Sequence, residues 1–223
     1  MYRPFFSVIV CTYNRAHTLS RALESLLCQV ETDWECLIVD DGSTDATQDV
    51  AVRYMWNDKR VRIMKHQNSG VGYSRTVGMY ASLGQYCTFL DSDDEYLPLH
   101  LSSRREILER FPEIDILHGG VEVIGIPFVR DRFDASKNIH VSECVLEGTM
   151  VLRREVALKL EGFGTIRYGE GAVLLERASE LGLRIMKVEI PTYRYDRTTP
   201  DSLCSRFGDT LAFSSDSQNS EVQ

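Results

Sequence analysis

Residues 6–14 of the chain read Phe-Ser-Val-Ile-Val-Cys-Thr-Tyr-Asn. The run from Phe6 to Cys11 is short, almost wholly apolar and rich in β-branched residues, which is typical of a strand buried on both faces of a sheet. Apolar residues then recur at helical spacing over Thr18–Cys28, and Trp34–Val39 repeats the strand pattern. A strand, a helix and a strand in this order predict a β-α-β unit with parallel strands.

The same alternation continues through the first hundred residues. The pattern predicts helices at Asp45–Tyr54 and Ser74–Leu83, and strands at Val61–Met64 and Tyr86–Leu90. Such a chain is expected to form an α/β fold with a mostly parallel central sheet flanked by helices. Ligands of these sheets bind beyond the carboxyl ends of the strands, so the residues that follow each strand form the candidate site.

The second half is less regular, and we interpret residues 1–207 as one domain. Its patterns predict helices at 99–110, 155–160 and 171–181, strands at 114–118, 121–128 and 184–188, and a mobile loop at 130–138. The Ser-rich segment 208–223 has no Lys or Arg and few apolar residues, a composition that predicts a disordered tail.

The composition excludes several classes of protein. With 223 residues, 43% of them hydrophobic and 26% charged, the chain resembles an ordinary globular protein. Its formal net charge of −8 disfavours nucleic acid as a partner. The 6 Cys residues show neither zinc-finger spacing nor a disulfide framework, which indicates a reducing cytoplasm. No run reaches the ~18 apolar residues of a spanning helix, so no integral membrane segment is expected.

Carboxylates follow two of the predicted strands. Asp91, Asp93 and Asp94 come directly after the fourth strand, and Asp40 and Asp41 end the second. Crowded carboxylates repel one another unless a cation lies among them, which makes the first group a candidate site for a hard cation. A solvated turn that uses Asp for capping is the simpler explanation. The presence of two acidic strand ends at one edge of the sheet favours a functional explanation instead.

Two glycines and an arginine open the third predicted helix, over Gly70–Arg75. Backbone N–H groups at a helix start favour phosphate, and an arginine adds a bidentate donor. By itself this segment is also typical of a plain turn. No Gly-x-Gly-x-x-Gly follows the first strand and no phosphate-loop motif occurs, so the dinucleotide and P-loop interpretations fail.

Taken together, four ordered segments resemble the motifs of family 2 glycosyltransferases with the GT-A fold. These segments are 7–14 (SVIVCTYN), 39–45 (VDDGSTD), 70–75 (GVGYSR) and 89–94 (FLDSDD). Gly148–Arg154 and Gly162-Phe163 match more weakly. The resemblance implies a Rossmann-like GT-A domain in which 5–105 is the nucleotide-sugar-binding half and 106–207 is a smaller acceptor-side half.

The resemblance implies an inverting, metal-dependent enzyme that moves a sugar from a nucleotide-diphosphate-sugar, commonly a UDP-sugar, to an acceptor hydroxyl. The residues expected to bind the nucleotide sugar are Thr12, Asn14, Asp41, Arg75, Asp91 and Ser92. Asp41 would accept a hydrogen bond from the base, and Asp93 would hold Mg²⁺ or Mn²⁺. A glycan or lipid-linked acceptor in bacterial polysaccharide or glycoconjugate synthesis is expected, in the cytoplasm or at the inner face of the membrane.

The resemblance breaks at the general base. The family has Glu-Asp before a helix of the form x-x-Leu-x-x-Arg, and here Glu170 and Gly171 hold those positions. Gly171 therefore stands in place of the catalytic Asp. Either Glu170, one residue away, acts as the base, or the chain is a catalytically impaired nucleotide-sugar-binding module. A usual C-terminal His is also absent, and Asp196 or Arg197 are its candidate replacements.

A phosphatase or phosphoacceptor domain is a third interpretation, because an Asp-x-Asp pair after a strand suits an aspartyl nucleophile. That motif normally follows the first strand of its domain, with Thr or Val two residues after the second Asp. Here it follows the fourth strand and Glu95 occupies that position, so this interpretation ranks low.

Overall fold

The computed structural model describes residues 3–131, 134, 136–164 and 169–199. The first half alternates strands and helices as predicted, with ends that shift by a few residues. The bounds are β1 Phe6–Thr12, α1 Leu19–Leu27, β2 Trp34–Asp40, α2 Thr47–Asn57, β3 Val61–Lys65, α3 Val71–Ala81 and β4 Tyr86–Phe89.

Shorter elements make up the second half. They are β5 Glu95–Tyr96, α4 His100–Arg110, β6 Ile116–His118, β7 Val121–Ile124, β8 Phe128–Arg130, β9 Asn138–His140, β10 Val151–Arg153, α5 Arg154–Lys159, α6 Glu170–Glu180, β11 Ile185–Lys187 and β12 Tyr193–Asp196. Two turns of 3₁₀-helix, Val141–Glu143 and Glu147–Thr149, precede β10. The predicted helices of this half are confirmed.

Within the described residues, seven strands form the central sheet, in the order β11-β6-β10-β4-β1-β2-β3. The strands β1 to β4 run parallel to one another, and β10 lies antiparallel between β4 and β6. The prediction of a mostly parallel sheet is confirmed. All 7 residues of both β1 and β2 are buried, because helices cover both faces.

The side chains of β1 alternate between the two faces of the sheet. Phe6, Val8 and Val10 belong to the apolar cluster that also contains residues of α1, α2 and α4. Ile9 and Cys11 belong to the opposite cluster, with residues of α3, α5 and α6. This period of two places a core on each side of one sheet, which is a three-layer α/β architecture.

A second sheet, in the order β5-β12-β7, was only partly predicted. The strand predicted over 121–128 is in fact two strands, because Gly125 between them has a φ of 96°. The ends of the segment predicted as a loop at 130–138 pair as an antiparallel hairpin, with Arg130 opposite Asn138. The predicted tail at 208–223 lies outside the described residues.

Candidate active site

The carboxyl ends of β1, β2 and β4 lie side by side at one edge of the central sheet. Thr12 is in register with Asp40, and the backbone N–H of Asp41 donates to the Thr12 carbonyl at 2.9 Å. The N–H of Leu90, just past β4, donates to the Ile9 carbonyl at 3.0 Å. The loops that follow these three strands therefore start from one place, as the parallel topology predicts.

The thiol of Cys11 lies under this edge, near most of the charged candidates. Burial raises its pKa to about 12; the charge of Arg75 opposes the rise, and those of Asp91, Asp41 and Glu170 add to it. Four predicted site residues from distant parts of the sequence thus lie close enough to Cys11 to affect the pKa of its thiol.

Asp41 organises the turn that leads into α3. Its two carboxylate oxygens accept backbone N–H groups from Ser69 at 2.7 Å and Gly70 at 2.9 Å, and His66 Nδ1 lies 3.4 Å from Oδ1. Gly70 has a φ of 94°, which favours glycine at the N-cap of α3. The side chain predicted to select the base therefore also fixes the turn beside it.

Asn14 links the loop after β1 to the loop after β2. Its Oδ1 accepts a hydrogen bond from the Thr44 N–H at 2.9 Å, and its own N–H donates to Ser43 Oγ at 3.0 Å. Its φ of 52° is a left-handed conformation that Asn tolerates better than most residues. Thr12 is buried, and its hydroxyl has no hydrogen-bond partner among the described residues.

Arg75 is the centre of the charged cluster. Its guanidinium donates to Glu170 Oε1 through Nη1 and to Asp91 Oδ1 through Nη2, both at 2.7 Å. Glu147 Oε2 lies 4.0 Å from the same Nη1. Burial by itself lowers the pKa of Arg75, but these three carboxylates raise it well above its ordinary value. One buried cation thus joins α3, α6 and the turn after β4.

The three carboxylates of the turn after β4 have different environments. The side chains of Asp91 and Asp93 are 31% and 17% exposed. Asp94 is buried; it accepts the Tyr193 hydroxyl at 2.6 Å and the Asp196 N–H at 2.8 Å. Burial raises the pKa of Asp94 well above its ordinary value, and the charges of Asp93 and Asp91 add to the rise. Asp94 is therefore structural, whereas the side chains of Asp91 and Asp93 are partly exposed.

Two arginines from the N-terminal half contact this turn. Arg21 donates to the Asp93 carbonyl at 2.5 Å and pairs with Asp196 Oδ2 at 2.8 Å. Arg15 Nε lies 3.9 Å from Asp93 Oδ2. Asp196 therefore anchors β12 to Arg21 and Asp94.

Arg197 lies with its guanidinium 5.9 Å from the Tyr195 ring. Ser92 is buried within the turn.

Glu147 belongs to the cluster and was missed by sequence reasoning. It accepts the backbone N–H of Gly171 at 2.7 Å through Oε1, which satisfies an N–H in the first turn of α6. The segment Gly148–Arg154 was noted as a weak match, but the residue before it carries no motif of its own. The missing side chain at Gly171 was the one signal that could have led to Glu147.

The fit of a divalent cation depends on the partly exposed carboxylates. Carboxylate oxygen is the ligand type that Mg²⁺ and Mn²⁺ prefer, and Asp93 supplies it at an accessible position. Among the described residues there is no group of three or more His, Cys, Asp or Glu side chains arranged to hold a metal. A cation here would therefore need oxygens from a bound ligand and from water in addition to Asp93.

The chain matches the model of a known family. The model of the family described as "Glycosyl transferase family 2" matches residues 7–138, which is more than half of the chain. The matched residues run from the second residue of β1 past the turn after β4.

Two Bacillus subtilis (strain 168) proteins are similar in sequence. One is named "Putative teichuronic acid biosynthesis glycosyltransferase TuaG"; it is 34% identical over 108 residues, 48% of this chain and 43% of that protein. The other is named "Putative glycosyltransferase EpsH" and is 38% identical over 94 residues, 42% of this chain and 27% of that protein. The chain thus spans less than half the length of these relatives.

Two solved structures are similar in fold. S. aureus TarS in complex with UDP-GlcNAc has a TM-score of 0.74 at 21% identity, covering 98% of this chain and 68% of that one. The mannosyltransferase PcManGT from Pyrobaculum calidifontis, in complex with GDP-Man and Mn²⁺, has a TM-score of 0.71 at 16% identity, covering 100% of this chain and 67% of that one. At these identities the likeness shows the fold.

Proposed function

This chain belongs to glycosyl transferase family 2 and has the GT-A fold, and from this premise we propose that it transfers a sugar from a nucleotide-diphosphate-sugar to an acceptor hydroxyl with inversion. The observation that carries the proposal is the charged cluster at the carboxyl edge of the sheet. There Arg75 joins Asp91 to Glu170 beside the accessible carboxylate of Asp93.

UDP is the nucleotide that we propose for the donor. Asp41 lies at the end of β2, where the family resemblance places the group that pairs with the base. TarS is a solved structure with UDP-GlcNAc, and PcManGT one with GDP-Man, so proteins of this fold accept donors with either base. The choice between them is therefore made by local residues, of which Asp41 is the candidate here.

The proposed reaction is a single displacement. The acceptor oxygen forms a bond to the anomeric carbon, the bond from that carbon to the diphosphate oxygen breaks, and its electron pair leaves with the nucleoside diphosphate. A carboxylate takes the acceptor proton. Asp93 would hold Mg²⁺ or Mn²⁺, and that cation, when bound, would neutralise charge on the departing diphosphate. Arg75 adds positive charge at the same edge and holds Asp91 and Glu170 in fixed positions.

The sequence assigns the proton-accepting role to Glu170, and this assignment stays a prediction. Glu170 lies at the same edge as Asp91, because both bind one guanidinium. A catalytically impaired nucleotide-sugar-binding module is the second candidate function, and the observation that favours it is the absence of a side chain at Gly171.

We further propose that the reaction serves bacterial polysaccharide or glycoconjugate synthesis, with a glycan or lipid-linked acceptor. The name of TuaG, which refers to teichuronic acid biosynthesis, supports this class of pathway. Among the described residues, no helix is both long and apolar enough to span a bilayer. A place in the cytoplasm or at the inner face of the membrane stays a prediction.

The function is tested by nucleotide release. The purified chain is incubated with a panel of UDP-, GDP- and other nucleotide-sugars with Mn²⁺, and free nucleoside diphosphate is measured with and without candidate acceptors. Thermal shift with the same nucleotides separates the two candidate functions, because a ligand at a hundred times its dissociation constant stabilises by about 2.7 kcal/mol. Binding with turnover supports the enzyme, and binding without turnover supports the binding module. If the chain neither binds nor turns over any of these nucleotide-sugars, both candidate functions are contradicted.

We expect Asp41→Ala to narrow the preference for UDP over ADP. A buried carboxylate that pairs with a ring N–H penalises any base that leaves it unpaired. Asp41 also holds the backbone of Ser69 and Gly70, so its loss can weaken the binding of both nucleotides. The prediction is therefore checked by the ratio of the UDP and ADP dissociation constants, measured by calorimetry. Asp49→Ala, an exposed acid on α2, is the matched control. Equal binding of UDP and ADP by the wild type would show that Asp41 does not read the base.

A further inference from the structure

Gly171 leaves room that the carboxylate of Glu147 fills. A Cβ atom placed on Gly171 would lie 2.6 Å from Glu147 Oε1 and 3.0 Å from its Cδ. Real Cβ atoms essentially never come within 2.6 Å of an oxygen, so the Glu147 carboxylate would have to move from its observed position if residue 171 carried a side chain. The carboxyl group of Glu147 thus occupies space that the first atoms of a side chain on residue 171 would need.

Glu147 is held in that place by contacts at one of its two oxygens. Oε1 accepts the Gly171 N–H at 2.7 Å, whereas Oε2 lies 4.0 Å from Arg75 Nη1, beyond hydrogen-bond distance. The side chain is 14% exposed. One oxygen therefore orients the group and the other is available to an incoming proton.

Glu170 differs from Glu147 both in its exposure and in its contact with Arg75. Its side chain is 5% exposed, and its Oε1 accepts Arg75 Nη1 at 2.7 Å. A carboxylate that neutralises a buried guanidinium loses that interaction when it takes a proton. Of the two acidic groups beside Gly171, Glu147 is the better placed to accept one.

We propose that Glu147 is the general base of the transfer reaction, in place of the side chain that Gly171 lacks. The inference rests on the proposed function. As the acceptor oxygen bonds to the anomeric carbon and the nucleoside diphosphate departs with its electron pair, the acceptor proton passes to Glu147 Oε2. Glu170 then has the separate role of holding Arg75 against Asp91.

The electrostatic environment suits this role. Burial raises the pKa of Glu147 to about 7; Arg75 on α3 opposes the rise, and Glu170 on α6 and Asp91 after β4 add to it. A base is most effective when its pKa lies near the working pH. We therefore expect kcat to rise with pH through about 7 and level off above it.

The first test compares Glu147→Gln with Glu170→Gln. Glutamine keeps a carbonyl oxygen for the Gly171 N–H, so the start of α6 stays capped. We expect Glu147→Gln to lower kcat by about 10²- to 10⁴-fold, the range for loss of a general base. UDP affinity is expected to change far less than kcat. Glu170→Gln should instead weaken donor binding, through Arg75.

Stability separates a catalytic from a structural role. The pKa of Glu147 is raised in the folded state, so its contribution to stability falls as the pH rises from the ordinary carboxyl value through about 7. A neutral Gln avoids that loss. Glu147→Gln is therefore expected to unfold at pH 8 at a temperature no lower than the wild type.

The second test moves the carboxylate. Glu147→Ala together with Gly171→Asp removes one carboxylate and supplies another in the freed space, and we expect kcat at least about tenfold above that of Glu147→Ala alone. Wild-type turnover that survives Glu147→Gln within a few-fold would overturn the inference and leave the proposed function standing. A larger kcat loss in Glu170→Gln than in Glu147→Gln would return the base to Glu170. Absence of turnover in the wild type would overturn both.

Discussion

Arg75→Ala is expected to lower the free energy of unfolding by about 3–5 kcal/mol, the usual result of removing one partner from a buried ion pair. The Arg75 side chain is 5% exposed and lies between Asp91 and Glu170, with Glu147 next to them. Without the guanidinium, three carboxylates from different parts of the chain would face one another with no cation among them. The loss therefore combines a desolvation cost with mutual repulsion.

Urea unfolding measures this change, and a surface arginine provides the control. Arg105 also contacts three carboxylates, those of Glu31, Asp33 and Glu109, but its side chain is 32% exposed. Arg105→Ala is expected to cost less than Arg75→Ala, because its ion pairs are more exposed to solvent. If Arg75→Ala were no more destabilising than Arg105→Ala, the cluster would not be held together by Arg75.

Most of the site residues that the sequence predicts lie at or just after the ends of parallel strands. β1, β2 and β4 are continuous apolar runs, and the carboxyl ends of parallel strands meet at one edge whatever the loops do. This is why Thr12, Asp41 and Asp91 could be grouped before the structure was known. Arg75 joins them because a helix that packs on the sheet, here α3, begins at the same edge.

The second half was harder to predict for a physical reason. β10 has 3 residues and takes its place in the sheet through pairing with β4 and β6 on both sides, so its local pattern is weak. β12 depends likewise on β5 and β7.

Glu147 has no sequence motif of its own, so local patterns do not identify it. Glu147 lies 24 positions before Gly171 in the sequence, and the property of Gly171 that matters is its missing Cβ atom. A sequence motif records which side chains are present at a fixed spacing, whereas this replacement depends on space. Such a substitution becomes visible only when the two segments are placed together.

The most direct test of the carboxylate turn is Asp93→Ala, which we expect to remove the metal-dependent part of UDP binding. A bound cation neutralises charge on the diphosphate, and we expect its loss to lower the affinity about 10²-fold, which corresponds to about 2.7 kcal/mol. The turn itself should survive, because Arg21 binds the Asp93 carbonyl and Asp94 is held by Tyr193 and Asp196, none of which needs the Asp93 side chain.

Calorimetry of UDP with Mn²⁺ and with chelator, on the wild type and on Asp93→Ala, gives the four values needed. The wild type should bind UDP about 10²-fold more tightly with Mn²⁺, and the variant should show the weaker affinity under both conditions. The exposed control Asp49→Ala should behave as the wild type. Asp94→Ala should instead lower the stability of the fold, since it leaves a buried hydroxyl and a backbone N–H without their acceptor. Equal UDP affinity of the wild type with Mn²⁺ and with chelator would contradict a cation held by Asp93, and would leave Arg75 and Arg15, beside Asp91 and Asp93, to balance the charge of the diphosphate.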